Sequence, residues 1–182
     1  MGWHRGLLVG FDLETTGTDP DTSRIVTAAV VETRGGKLLR ARTWLVDPGV
    51  PIPDEAVAVH GITTGRAVAE GRPAEQAVEE IAAALAAHWA AGTPVVAFNA
   101  PFDLSLLAAE LRRYGLPSFG ERLPGQVGPV IDPLTVDRAI DRYRKGSRSL
   151  EAACAEYGVV LDTAHEAAAD ALAAVRVAVS IA

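Results

Sequence analysis

With 182 residues, of which 49% are hydrophobic, the chain is long enough to bury one sizeable core, and we expect a single domain over residues 1–182. Its net charge of −6 argues against a nucleic-acid binder that works through a broad basic surface, but is compatible with a local site filled by cations. A single cysteine excludes a disulfide scaffold within the chain, and no apolar run approaches the ~20 residues of a membrane span, so we expect a cytoplasmic protein without a membrane partner.

The beginning of the chain predicts three strands in an antiparallel meander. β-Branched and apolar residues fill segments 7–14, 25–33 and 38–46, and a Gly35-Gly36 turn separates the last two. Successive side chains of a strand point to opposite faces, so the first segment has one wholly apolar face. Its other face ends in two acids.

Helical spacing and turn residues predict that helices alternate with short strands in the rest of the chain. In chain order, the predicted segments are a short helix after Asp54, a helix over Pro73 to Ala91, a strand over Pro94 to Phe98, and a helix capped by Asn99 and ended by Gly115, with Leu104, Leu107 and Leu111 as its buried stripe. A loop over Pro117 to Pro129 and a strand remnant at Val130-Ile131 follow. Two or three more helices then complete the chain, one of them capped by Ser147 or Ser149 and ended by Gly158, and the last with a capping box of Thr163 and Glu166. This order predicts an α/β fold in which helices flank a mixed sheet, an antiparallel meander followed by β/α units.

Asp12 and Glu14 are the two acids on one side of the first strand. Carboxylates held this close repel each other unless a proton or a cation lies between them. Two interpretations stay open at this point: a solvated strand end, and a metal site.

Further acids and a histidine stand where predicted elements begin or end, the usual place for a site on an α/β scaffold. Asp103 lies in the first turn of a helix, and His165 and Asp170 lie around the start of the last helix. Mg²⁺ and Mn²⁺ prefer oxygen ligands, so carboxylates from separate elements can hold two such ions. A pair of ions suits phosphodiester cleavage, for which a histidine can accept a proton from water near neutral pH.

Three short motifs resemble, in order and spacing, the exonuclease motifs of the DEDDh family, the DnaQ-like 3′–5′ exonucleases that include the proofreading epsilon subunit of bacterial DNA polymerase III. They are Asp12-x-Glu14-Thr15-Thr16-Gly17, Asn99-x-x-Phe102-Asp103 and His165-x-x-x-x-Asp170, and His60-Gly61-Ile62-Thr63 matches a further segment common in the family. The resemblance spans nearly the whole chain, and several motifs in the right order make a coincidence implausible.

The resemblance implies a ribonuclease H-like fold and a hydrolase that releases 5′-mononucleotides from the 3′ end of single-stranded or frayed nucleic acid, with DNA favoured. It implies that two Mg²⁺ or Mn²⁺ ions are bound by Asp12, Glu14, Asp103 and Asp170, with Asp12 bridging, and that His165 is the general base. The expected substrate contacts are Thr15, Thr16, Ile62, Asn99 and Phe102.

His165 and Asp170 pose a geometric question, because five residues along one helix separate two side chains by roughly 140° about its axis. They cannot then point at one spot. We expect His165 to lie on the turn that leads into the helix, and Asp170 to project from the helix itself.

The basic run made of Arg138, Arg142, Arg144, Lys145 and Arg148 has two interpretations, a solvated helix face and a path for the phosphates of an entering strand. His60 either shapes the loop beside the nucleotide or contacts it. We expect Asp132 to cap or end an element, and Cys154 to be a small core residue.

The wider role also has alternatives. An exoribonuclease that trims RNA 3′ ends is one, and a weakly catalytic interaction module associated with a polymerase is another. A polymerase or a repair protein is a candidate partner, in DNA replication or DNA repair. Since the sequence ends at Ala182, directly after the last predicted helix, we expect a free-standing exonuclease, or one with an unknown partner, rather than a proofreading subunit.

Overall fold

The computed structural model describes residues 2–182, and within this range the chain forms a six-stranded sheet flanked by helices. The strands are β1 (Leu7–Thr15), β2 (Ile25–Arg34), β3 (Lys37–Asp47), β4 (Arg72–Pro73), β5 (Val95–Val96) and β6 (Val130–Ile131). The helices are α1 (Asp54–His60), α2 (Thr64–Glu70), α3 (Ala74–Ala90), α4 (Ala100–Arg113), α5 (Phe119–Arg122), α6 (Pro133–Ile140), α7 (Leu150–Glu156) and α8 (Ala167–Ile181), and a 3-10 turn over Trp3–Arg5 precedes β1.

The sheet is mixed, as predicted. β1 pairs antiparallel with β2 and β2 pairs antiparallel with β3, whereas β5 is parallel to β1 and β6 is parallel to β5. The spatial order is β4-β3-β2-β1-β5-β6, so β1 lies between the meander and the parallel strands. An antiparallel meander followed by β/α units is therefore confirmed.

β1 is buried on both faces, which fixes its position in the sheet. Val9 and Phe11 pack with buried side chains of α3 and α4, whereas Leu8 packs against α8 on the opposite face. A slip of one residue would exchange the two faces, so this burial specifies the register strongly. The alternation places Asp12 and Glu14 on the α8 side of the sheet.

Gly10 allows α8 to approach β1 closely. A Cβ atom at this position would lie 2.5 Å from the backbone oxygen of Ala171 in α8 and 2.6 Å from a methyl group of Val31. The backbone oxygen can move only if α8 moves, since protein interiors are close-packed.

We therefore expect Gly10→Ala to lower the free energy of unfolding by about 1–3 kcal/mol, as an overpacked core does. Urea denaturation measures this loss. Gly65→Ala is the matched control, because Gly65 lies in α2 with open space around it, and alanine in a helix is neutral or stabilising by about 0.5–1 kcal/mol. Equal stability of Gly10→Ala and the wild type would contradict the close packing of β1 with α8.

Two predicted helix caps are wrong. Asn99 precedes α4, but its side chain makes no capping hydrogen bond, and its φ of 61° lies in the left-handed region. The last helix begins only at Ala167, so Thr163 and Glu166 form no capping box. By contrast, Ser149 does cap α7, accepting the N–H of Ala152 at 3.3 Å.

Other differences concern short elements and single positions. α2 was not predicted, and α5 lies within the stretch predicted as a loop. In α4 it is Leu106, with Leu107 and Leu111, that is fully buried, while Leu104 is only half-buried. Cys154 is a buried core residue, as predicted. Across residues 2–182, none of the helices combines the length and the apolar character needed to cross a membrane.

Candidate active site

The C-terminal end of β1 forms one wall of the candidate site. Asp12 and Glu14 are half-buried there, on the sheet face that α8 covers. Asp170 belongs to the first turn of α8 and is 9% exposed, so the packing of α8 on β1 brings it to the same place. The two neighbouring acids of the strand thus meet a third from the other end of the chain.

Asp103 is joined directly to β1. It lies in the first turn of α4 and is 4% exposed, and its Oδ1 atom accepts the backbone N–H of Leu13 at 3.1 Å. The start of α4 is held by Asp132, whose carboxylate accepts the backbone N–H of Asn99 at 2.9 Å. Asp132 also caps α6 by accepting the N–H of Leu134 at 3.0 Å, so the prediction that it caps an element is confirmed.

His165 precedes α8 and lies on the turn that leads into it, as expected from the helical geometry. Its φ of 62° is left-handed, and its backbone N–H donates to Oδ2 of Asp170 at 3.2 Å. This hydrogen bond connects the turn at His165 to Asp170 in α8. The Nε2 atom of His165 lies 3.4 Å from Oε1 of Glu151 in α7, a neighbour that no sequence motif indicated.

The site raises the pKa values of its acids, and burial is the largest cause at each of them because it disfavours the charged form. It raises the pKa of Glu14 to about 7 and the pKa of Asp103 to about 8. The pKa values of Asp12 and Asp170 are also raised. At Asp12, the charges of Asp103, Asp170 and Glu14 add to the effect of burial. Such a group of carboxylates needs protons or cations to lie among them.

The donor atoms fit a divalent cation. Ligand atoms of Glu14, His165 and Asp170 lie within 4.8 Å of one another, and Oδ1 of Asp170 is buried without a hydrogen-bond partner among residues 2–182. Asp12 and Asp103 lie outside this closest group. The charges of Glu14 and Asp170 nevertheless act on Asp12, and the charge of Glu14 acts on Asp103. The carboxylate oxygens in this group are the ligands that hard divalent cations favour, whereas an imidazole nitrogen is not.

Two cavities border the candidate site. One of about 380 Å³ is lined by Glu14, Thr15, Thr16 and His60, and another of about 590 Å³ is lined by His60, Ile62 and His165 among others. Phe102 lines neither cavity and packs against the core at the start of α4.

The two threonines also build the turn after β1. The hydroxyl of Thr15 donates to the carbonyl oxygen of Gly17 at 2.7 Å, and the hydroxyl oxygen of Thr16 accepts the N–H of Arg24 at 2.9 Å. Thr16 keeps its hydroxyl hydrogen for another acceptor. His60 borders both cavities, its Nδ1 accepts the N–H of Ile62 at 3.1 Å, and its Nε2 is buried without a partner among residues 2–182.

The raised pKa values predict how stability depends on pH when no cation is bound. The folded protein keeps a proton on Glu14 up to about pH 7, whereas the unfolded chain releases it near pH ~4.3. The folded state then binds more protons, so the free energy of unfolding falls as pH rises from about 4.3 through the folded pKa values near 7 and 8. A cation can replace these protons, so the increase in Tm on adding Mn²⁺ should be small at pH 5 and large at pH 8.

Thermal unfolding followed by circular dichroism, with and without Mn²⁺ at both pH values, measures this difference. Glu14→Gln is the control, since a neutral amide in this place should flatten the pH dependence of the cation-free protein. An equal effect of Mn²⁺ at pH 5 and pH 8 would show that protons and cations do not compete here.

A mixed sheet whose central strand ends among clustered carboxylates defines a nuclease of the ribonuclease H-like fold. The chain belongs to the Exonuclease family (RNase_T), whose model matches residues 9–178. The resemblance of the three motifs to DEDDh exonucleases is thereby confirmed.

The proteins similar to this chain include two DNA polymerases. It is 31% identical over 165 residues to a PolC-type DNA polymerase III of Halalkalibacterium halodurans, and 29% identical over 163 residues to that of Lacticaseibacillus paracasei. Both matches cover 90% of this chain but only 10% of the polymerase. The chain thus spans about a tenth of the length of these relatives.

Solved structures of exonuclease I share the fold. The enzyme from Escherichia coli in complex with a dT13 oligonucleotide superposes with a TM-score of 0.80 at 22% identity, covering 96% of this chain and 40% of that one. A moderately thermophilic exonuclease I from Methylocaldum szegediense gives a TM-score of 0.77 at 26% identity, covering 97% and 40%. The predicted ribonuclease H-like fold is confirmed.

Proposed function

We propose that this nuclease is a 3′–5′ exonuclease that hydrolyses single-stranded or frayed DNA ends and releases 5′-mononucleotides. The observation that carries the proposal is the meeting of Glu14, His165 and Asp170 within 4.8 Å, next to two cavities, one bordered by Glu14 and the other by His165. This arrangement combines a proton acceptor with cation ligands in one place. Hydrolysis of a phosphodiester needs both.

The cation ligands in this proposal are the four carboxylates, namely Asp12, Glu14, Asp103 and Asp170, which would hold two Mg²⁺ or Mn²⁺ ions with Asp12 as the shared ligand. When bound, such cations stabilise the charge on the attacking and leaving oxygens of a phosphodiester. The chain supplies the negative charge that holds them, and the partial burial of these acids strengthens their attraction for a cation, because charges interact more strongly at low dielectric.

His165 acts as the general base in this proposal and takes a proton from the attacking water. Two contacts restrict its position: its backbone N–H donates to Asp170, and its Nε2 lies 3.4 Å from Glu151. Because the side chain is half-exposed, it can reach water on the open side of the site. A carboxylate beside the ring also stabilises the imidazolium that forms.

The proposed contacts to the terminal nucleotide are Thr15, Thr16, Ile62, Asn99 and Phe102. Thr16 has a hydroxyl hydrogen free to donate, and Ile62 contributes an apolar surface to the cavity that His165 also borders. Asn99 begins the turn into α4, next to Phe102. For Phe102 to contact the nucleotide, its half-buried ring would have to be approached from outside the two cavities.

We further propose that residues 1–182 act as one exonuclease domain in the cytoplasm, with a polymerase or a repair protein as partner. The PolC-type DNA polymerase III relatives and the exonuclease I complex with dT13 support DNA as the substrate and replication or repair as the setting. RNA remains the alternative substrate, since the 2′-hydroxyl is sensed by local contacts.

The test is to compare matched oligonucleotides, 5′-labelled as a single strand, a blunt duplex and an RNA, and internally labelled as a closed circle, each with Mg²⁺, with Mn²⁺ and with EDTA. We expect the single strand to be shortened from its 3′ end faster than the duplex, whose terminal base must first unstack at a cost of a few kcal/mol. The circle should survive. Cutting of the circle would indicate an endonuclease, and faster decay of the RNA would favour an exoribonuclease.

A further inference from the structure

The loop between α6 and α7, residues 141–149, carries cationic and aromatic side chains that the proposed reaction does not use. It contains most of the basic run, which the sequence leaves as either a solvated helix face or a path for phosphates. The structure divides these side chains into an inward set and an outward set.

The inward set consists of Arg144 and Arg148, which bind a buried carboxylate. Asp137 is fully buried and accepts from Nη2 of Arg144 at 2.9 Å, from the hydroxyl of Tyr157 at 2.6 Å, and from Arg148. Arg148 also donates to the carbonyl oxygens of Asp141 and Arg144 within the loop. Asp137 and, at longer distance from Arg144, Asp141 and Glu156 together balance the charges of the two arginines, which fix the course of the loop.

The pKa of Asp137 supports this description. Burial alone would raise it, but the hydrogen bonds from Tyr157 and Arg148 and the charge of Arg144 outweigh burial and lower it. A carboxylate that stays charged in the interior needs such partners. These contacts anchor the loop to the buried Asp137, while the exposed side chains of the loop remain free to bind.

The outward set, which lies on the end of α6 and on the loop, is exposed and combines apolar with cationic side chains. Tyr143 is 86% exposed and Ile140 is 60% exposed. The guanidinium of Arg142 lies 5.9 Å from the centre of the Tyr143 ring, and Arg138 and Lys145 are exposed on either side. Exposed apolar side chains grouped with charges of one sign are typical of a binding surface.

The two helices that flank this loop both contact residues of the candidate active site. α6 begins after Asp132, which binds the backbone of Asn99, and α7 carries Glu151, which lies 3.4 Å from His165. The eight residues of α6 rise about 12 Å, so the outward set lies roughly that far from Asn99. At a stacked rise of about 3.4 Å per nucleotide, this corresponds to roughly three to four nucleotides.

We propose that the outward set is a subsite for single-stranded nucleic acid about three to four nucleotides from the reacting 3′ end, an inference that rests on the proposed function. Tyr143 stacks on a base, and Arg138, Arg142 and Lys145 contact phosphates. Proteins that bind single strands combine cationic side chains with aromatic platforms in this way. In a chain with a net charge of −6, a local group of cations is also what attracts a strand to one place.

The experiment compares substrates that can and cannot reach the loop. The p-nitrophenyl ester of thymidine 5′-monophosphate occupies only the reacting position, whereas oligothymidylates of three and twelve nucleotides end before the loop and extend past it. For Tyr143→Ala, we expect the ratio of KM for the twelve-mer to KM for the ester to rise at least about fivefold, the loss of one stacked base. The ratio for the three-mer should stay as in the wild type.

Charge and control variants sharpen the test. Removing all three cations (Arg138→Ala, Arg142→Ala and Lys145→Ala) should reduce the slope of log Kd against log salt by about 2 for a labelled dT12, measured by fluorescence anisotropy in Ca²⁺. Val68→Ala, at another exposed apolar position, and Lys37→Ala, at an exposed cation of β3, are the matched controls and should leave Kd unchanged.

An unchanged twelve-mer ratio and an unchanged Kd for Tyr143→Ala would overturn the proposal and leave the loop as a surface for some other partner. If the wild type does not hydrolyse the ester or the oligonucleotides at all, it is the proposed function that fails. The anisotropy measurement then still decides whether the loop binds a strand.

Discussion

Asp12→Ala is expected to abolish both tight Mn²⁺ binding and hydrolysis. Asp12 is the acid on which the charges of Asp103, Asp170 and Glu14 all act, which supports the proposal that its carboxylate is shared between two cations. Without it, the remaining acids lose the charge that holds the ions together. The loss of rate should exceed that of any variant that keeps the four carboxylates. Isothermal titration with Mn²⁺ beside a rate assay on a labelled single strand measures both effects.

The same substitution should not unfold the protein. Removing a half-buried acid relieves repulsion with Glu14, so the Tm of the cation-free protein is expected to stay the same or to rise. Glu75→Ala is the matched control, because it removes the same charge from an exposed position at the start of α3. A variant of Asp12 that binds Mn²⁺ as tightly as the wild type would disprove the bridging role.

His165→Ala is expected to lower the rate by roughly 10²–10⁴-fold, the usual contribution of a positioned general base, while Mn²⁺ binding stays nearly intact. The backbone at this position complicates an alanine variant, because His165 has a φ of 62° and alanine is strained there. His165→Asn is therefore the matched variant. Asparagine tolerates the left-handed region, but its amide cannot accept the proton of the attacking water near neutral pH. Equal losses of rate in both variants would show that the imidazole matters rather than the turn.

The proximity of His165 to Glu14 and Asp170 makes the metal measurement decisive. Loss of Mn²⁺ binding in His165→Asn, to the same extent as in Asp12→Ala, would show that the histidine is a ligand. Full activity in His165→Asn would show that it has neither role, and the proposed chemistry would then depend on the acids alone.

The first strand shows how much of this fold can be predicted from sequence. Alternation along β1 places Asp12 and Glu14 on one face, and the structure has them on one face because both faces of the strand are buried and its register cannot slip. The order of meander and β/α units follows from apolar side chains that repeat every two residues in strands and every 3.6 residues in helices. These predictions depend on near neighbours in the chain, and they are confirmed.

The failures arise where distant parts of the chain decide the local structure. Asn99 does not cap α4, because its backbone N–H is held by Asp132 in a left-handed turn. His165 also has a left-handed backbone conformation, which is not helical, so α8 begins only at Ala167. Glu151 faces His165 only because α7 packs beside α8, and no spacing in the sequence encodes that contact.

The hydrogen bond that Oδ1 of Asp103 accepts from the backbone of Leu13 joins α4 to β1. The same carboxylate carries a charge that acts on Asp12. An asparagine has a carbonyl oxygen that can accept the same N–H, but it carries no charge. Asp103→Asn would therefore keep the hydrogen bond between α4 and β1 while removing a negative charge. Such an inactive protein would retain an uncut strand for crystallography.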